Sequence, residues 1–205
     1  MEKIKMLFAH KFFKILKWVF LILVGLFIVL VIGRLIYRNN EDKTNAQVEK
    51  IHNTKLTLND VMGTNLPPDP GAEADKTVQG IDANHNGIRD DVELAVFKAY
   101  PNSAKTRAVL LQYALALQME IIEPIINKDT ATAISEEDSR AFDCIGQIVP
   151  KSSNDIQKIE SYRKFIEDKQ LNTIERKNIK NNFDNSSGSF ELQSGCDINV
   201  DLLLN

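Results

Sequence analysis

From residue 82 to residue 93 the chain reads Asp-Ala-Asn-His-Asn-Gly-Ile-Arg-Asp-Asp-Val-Glu. Oxygen-bearing side chains stand at the first, third, fifth, ninth and twelfth places, as Asp82, Asn84, Asn86, Asp90 and Glu93, with glycine sixth. A hard divalent cation needs six to eight oxygens from a tightly curled backbone. In such a curl Asp82, Asn84 and Asn86 point inward, and Gly87 takes the sharp turn that a side chain would obstruct. The Ile88 carbonyl faces the ion, Asp90 binds directly or through water, and Glu93 closes the site with both oxygens. The pattern therefore predicts a Ca2+ loop running into a helix. The alternative is an Asx-rich turn that caps a helix without metal. Only three carboxylates bring charge, so the expected dissociation constant is about 10⁻⁴–10⁻³ M.

The spacing resembles an EF-hand loop, with departures. Arg89 occupies the eighth place, where paired loops carry an aliphatic residue. The segment Leu66-Pro67-Pro68-Asp69-Pro70-Gly71 upstream excludes a long entering helix. The ending Gly-Ile-x-Asp-x-x-Glu is closer to the single loops of dockerins and thrombospondin type 3 repeats, and that resemblance implies calcium as a structural brace. A wider order of features also resembles a group of exported bacterial proteins. It comprises the Pro-rich approach, the loop, Tyr100-Pro101-Asn102-Ser103, a single Cys after a helix, Asn172-Thr173-Ile174-Glu175-Arg176 and a late Cys-Asp. This resemblance implies a layout and no activity.

The loop must be positioned by what surrounds it. Residues 1–17 carry five lysines against Glu2, and Trp18 to Gly33 holds no charge. Leu35, Ile36 and Tyr37 extend the run if Arg34 and Arg38 snorkel to headgroups. We expect a cytoplasmic basic segment at 1–17 and a retained transmembrane signal-anchor at 18–37. The alternative is a cleaved signal peptide, against which Arg34 sits where cleavage belongs and no small-x-small site follows. The lysine excess places the N-terminus in the cytoplasm and the remainder in the periplasm. Residues 1–38 carry a net +6 and the whole chain −3, so the exported part is strongly acidic. That argues against nucleic acid as a partner. Residues 38–58 read as a polar tether with His52 at its surface, and 59–205 as one periplasmic domain.

Helices dominate that domain. Val92, Ala95, Val96 and Ala99 share a face before Tyr100-Pro101. A long helix over about 103–126 carries two apolar stripes and belongs at the centre of a bundle, with Pro124 to kink or end it. Ser135-Glu136-Glu137-Asp138 looks like a capped helix start, with Pro150 as its stop. Asn154 or Asp155 opens the next helix, with Ile156, Ile159, Tyr162, Phe165 and Ile166 inward. Thr173 starts a last one, and from Phe190 the tail has one fixed point, Cys196. No alternating strand pattern appears. The fold class is mostly α: an N-terminal transmembrane helix, then a small irregular helical bundle with one calcium loop.

Cys144 and Cys196 are the only cysteines. In an oxidising compartment they form one disulfide; in a reducing one they would be free thiols or half a zinc site, for which no histidine pairing is present. No nucleophile elbow, zinc-protease helix or phosphate loop is present, so no catalytic residue is assigned. His85, fourth in the loop, points to solvent, and Glu120 and Glu123 read as a rim pair. The expected role is binding or scaffolding in the bacterial envelope, with the inner membrane and an unidentified envelope protein as partners. The alternatives are a protective partner of a toxic envelope enzyme, or a hydrolase built from scattered acids.

Overall fold

The computed structural model describes residues 2–149, 155–186 and 188–204, with side chains for all of these except residues 2–13, 155 and 186. Among them there is no strand. Helix α1 covers Glu2–Asn53, and the chain divides into a unit of residues 1–45 and a unit of residues 46–205. In the first unit, α1 is long and apolar enough to cross a membrane, and its apolar side chains from Ile15 to Tyr37 are exposed. A fully exposed run of Phe, Leu, Ile and Val is stable in water only if something apolar covers it, and a bilayer does so.

The second unit is built around helix α4, Ala104–Ile122. Every residue of α4 except Lys105 and Ile122 is buried. Ser103 caps it, accepting a hydrogen bond from the Thr106 amide at 3.1 Å. The helix ends at Ile122 because Glu123 turns extended ahead of Pro124, whose ring disfavours helical backbone in the preceding residue. Against α4 pack α2 (Leu58–Met62), α3 (Asp90–Ala99), α5 (Lys128–Ile148), α6 (Asp155–Gln170), α7 (Ile174–Ser186) and a 3-10 turn at Val200–Leu202. Tyr100, closing α3, meets the rings of Tyr162 and Phe165 edge-on at 6.0 and 5.7 Å.

Several expectations are corrected here. The compact unit begins at Ala46, inside the expected 38–58 tether. Ile51 and Leu56 are buried in the core, and Val48 packs against it. The segment is fastened by ion pairs that local periodicity does not reveal: Lys50 with Glu123 at 2.7 Å, and Lys55 with Glu137 at 2.7 Å. His52 is part of this, with Nδ1 2.9 Å from Glu137 Oε1. Helix α5 begins at Lys128, well before Ser135, because Asn127 and Thr130 form the capping box. Ser135 is buried mid-helix, and its hydroxyl donates to the Ala131 carbonyl at 3.1 Å. Ile156 is 74% exposed, so the inner stripe of α6 starts one turn later. Pro150 and Asn154 lie outside the described residues.

The tail is held at more than one point. Cys196 is bonded to Cys144 of α5, and the next residue, Asp197, takes Arg140 Nη1 at 2.6 Å and the Leu56 amide at 2.9 Å. Val200 is buried in the core. The disulfide closes a separation of 52 residues, which corresponds to about 4 kcal/mol of unfolded-state entropy. Cys144→Ser and Cys196→Ser should therefore each lower stability by about that amount. The double variant should lose little more, since both residues belong to one bond. Urea melts of the four proteins check this, and additive losses would contradict it.

Candidate functional site: the loop of residues 82–93

The loop alternates as a cation site requires. Asp82, Asn84 and Asn86 are half-buried, while Ala83 and His85 between them are exposed. Two residues adopt the left-handed backbone that such a curl needs, His85 at φ 59° and Gly87 at φ 84°. Gly87 is required for a second reason. A Cβ there would stand 2.7 Å from Leu115 Cδ1 on α4, so the loop lies directly against the central helix. Ile88, Asp90 and Glu93 are fully buried.

The side chains hold the curl through its own backbone. Asp82 accepts from the Asn86 amide at 3.2 Å and the Gly87 amide at 2.9 Å. Asn86 Oδ1 accepts from the Ile88 amide at 2.9 Å. Asp90, at the start of α3, accepts from the Ala83 amide at 3.0 Å. Asn84 Nδ2 donates to Glu93 Oε2 and to the Asn65 carbonyl, both at 3.0 Å. The structure thus joins Asn84 directly to Glu93, while Asp90 faces the beginning of the loop.

Two buried atoms in this arrangement are left over. Glu93 Oε1 and Asn86 Nδ2 make no aligned hydrogen bond. Burial pushes the Glu93 carboxyl up to about 7, with the amides of Asn84 and Asn86 pulling the other way. Burial also raises the Asp90 carboxyl. A buried carboxylate with an unmatched oxygen is costly, and a cation offsets that cost. Among the described residues no three His, Cys, Asp or Glu side chains gather as a metal group. The donor set here is instead mixed, with Asp82, Asn84, Asn86, the Ile88 carbonyl, Asp90 and Glu93 as candidates. It consists wholly of hard oxygens, the class that calcium prefers.

Arg89 has a structural place that its sequence position did not reveal. Its side chain is fully buried, with Nε and Nη2 on Asp91 at 3.0 and 2.5 Å and Nη1 on the Gln170 carbonyl at 3.0 Å. The only local hint was the acid two residues later.

Two further clusters carry charge inside the unit. Glu137 takes His52, Lys55 and Arg140 together; burial pushes its carboxyl up, but these donors bring it below the ordinary range. Glu120 is not at a rim. It is 4% exposed and faces Lys180 of α7, Nζ 3.0 Å from Oε2, as an ion pair without an aligned hydrogen bond. Burial pushes the Glu120 carboxyl up to about 8, and the half-buried Asp138 of α5 is raised for the same reason. Glu123 is separate, held by Lys50 and by Gln47 at 2.6 Å.

The Glu120 shift gives a pH dependence of definite sign. Its folded value lies above that of a free Glu, near 4.5. The unfolded chain therefore releases this proton first, and stability falls as pH rises from about 4.5 to about 8. One such proton contributes a slope of about 1.4 kcal/mol per pH unit inside that window. Glu120→Gln should flatten the fall by up to that amount between pH 5 and 8. Denaturant midpoints across this range check it, and an unchanged slope would contradict it.

No family model matches the chain, and neither a curated protein nor a solved structure matches it.

Proposed function

We propose that the chain is a calcium-binding protein of the bacterial envelope, anchored in the inner membrane by α1, whose helical unit binds or scaffolds an envelope partner from the periplasmic side. The observation that carries the calcium reading is the buried Glu93 carboxyl at the twelfth place, with Oε2 on Asn84 and Oε1 making no aligned hydrogen bond. The left-handed Gly87, the inward alternation of Asp82, Asn84 and Asn86, and the outward His85 support the same reading. Those residues, with the Ile88 carbonyl and Asp90, would hold the ion. Calcium would supply positive charge to a buried carboxylate and tie the loop to the first turn of α3. The exposed apolar run of α1, the lysines before it and the acidic composition after it support the anchored topology.

Calcium should therefore stabilise the full chain in detergent, and magnesium less, since magnesium demands a tighter octahedral shell. At ten times its dissociation constant the gain is about 1.4 kcal/mol. For a unit of this size that shifts the melting midpoint by about 3–6 °C. Asp82→Ala should remove the gain, Glu93→Gln should weaken it strongly, and His85→Ala should leave it intact. Identical melting curves in calcium and in chelator would contradict the reading.

Topology has its own test. Alkaline phosphatase fused after the last residue should be active and should sediment with membranes. An inactive fusion would refute export. Activity in the soluble periplasmic fraction at reduced mass would show a cleaved signal peptide instead.

A further inference from the structure

Two arginines in the second unit are completely buried, Arg89 of the loop and Arg176 of α7. They share one carboxylate. Asp75 lies 2.6 Å from Arg176 Nη1 and 3.6 Å from Arg89 Nη2. Hydrogen bonds from Arg176 hold the Asp75 carboxyl below the usual range. Arg176 also donates to the carbonyls of Ala74, Thr77 and Val78 at 2.7–2.9 Å, so α7 is fastened to the segment that leads into the loop. Arg89 reaches the Gln170 carbonyl, the last residue of α6, at 3.0 Å. Its aliphatic stem packs on Gly80, where a Cβ would come 2.9 Å from Arg89 Cδ. The loop is stitched back to this segment by the Asp90 amide on the Ile81 carbonyl at 2.9 Å.

Arg89 stands between Ile88 and Asp90, two of the candidate ligands. An ion that fixes their backbone also fixes the stem of Arg89. A guanidinium held in place orders its partners, Gln170 and Asp75, and through Asp75 it orders Arg176. Building on the calcium reading of the loop, we propose that cation occupancy governs how firmly α7 docks, with Arg89 as the positioning residue that transmits it. Linkage makes the effect reciprocal: loosening α7 weakens calcium binding by the same factor.

The test is hydrogen exchange on the full chain in detergent, with and without calcium, beside a calorimetric calcium titration. Calcium should slow exchange in α7 by about 5-fold or more beyond its effect on α5, which reports global stabilisation. Arg89→Lys should still give heat of binding, with slowed exchange confined to residues 82–99. Asn172→Ala removes an exposed side chain that donates to Asp75 at 2.9 Å, and it should weaken calcium binding several-fold. Heat of binding in the unaltered chain with protection confined to the loop and α3 would overturn the coupling and leave the calcium reading standing. An α7 effect that persists in Arg89→Lys would also overturn it. Absence of both heat and protection would overturn the calcium reading and the coupling together.

Discussion

The constraint on which the second unit depends is a helix without a polar face. Residues 104–122 hold apolar side chains around the whole circumference, and α4 is buried accordingly. Such a helix cannot lie on a surface, so other segments must enclose it. The chain does this with elements that are individually weak. Helix α2 is five residues long, α6 and α7 are largely polar outside their inner stripes, and the tail contributes a single short turn. Each gains its stability from the side it turns to α4 and from charged contacts at the edges. The disulfide between Cys144 and Cys196 serves the same end, holding the tail over the central helix.

The polar groups that enter this core are matched unevenly, and the mismatch is informative. Arg176 is saturated by one carboxylate, one amide and three carbonyls. Glu137 is met by Lys55, Arg140 and the His52 ring. Glu93 is fully buried, yet one of its oxygens has no aligned hydrogen bond and the groups that meet it are side-chain amides. Glu120 also lacks an aligned hydrogen bond but has Lys180 beside it, whereas Glu93 is met by side-chain amides, and a divalent cation would supply the charge that they do not. That contrast, more than the twelve-residue pattern, is the physical argument for a cation.

Much of this was legible in the sequence, and the limits have physical causes. Long apolar runs announce themselves, as in the exposed stretch of α1 and the buried α4, but the pattern carries α4 to 126 with Pro124 as a kink or an end, whereas the helix stops at Ile122. The inward and outward alternation of residues 82–86 also followed the spacing. What local reading missed depends on distant residues. Residues 46–56 look like a tether because Val48, Ile51 and Leu56 are sparse; only their fit against the core, and the pairs to Glu123 and Glu137, order them. Ser135 resembles a cap because serine followed by acids is a genuine start signal, but Asn127 and Thr130 supply one earlier and the helix runs through. Glu120 looked like a surface acid, and nothing near it in sequence announces Lys180. Arg89 read as a flaw in a motif, whereas the partners that bury it lie on segments far along the chain.

Residues 82–93 are either a cation loop or a capping turn. A crystal structure of the protein grown in millimolar calcium distinguishes the two most directly. We expect one ion bound by Asp82, Asn84, Asn86, the Ile88 carbonyl and both oxygens of Glu93 at about 2.3–2.6 Å, with Asp90 bound directly or through water. The contrary result is a loop without an ion, with Asp82 still on the Asn86 and Gly87 amides and Glu93 Oε1 bonded only to water.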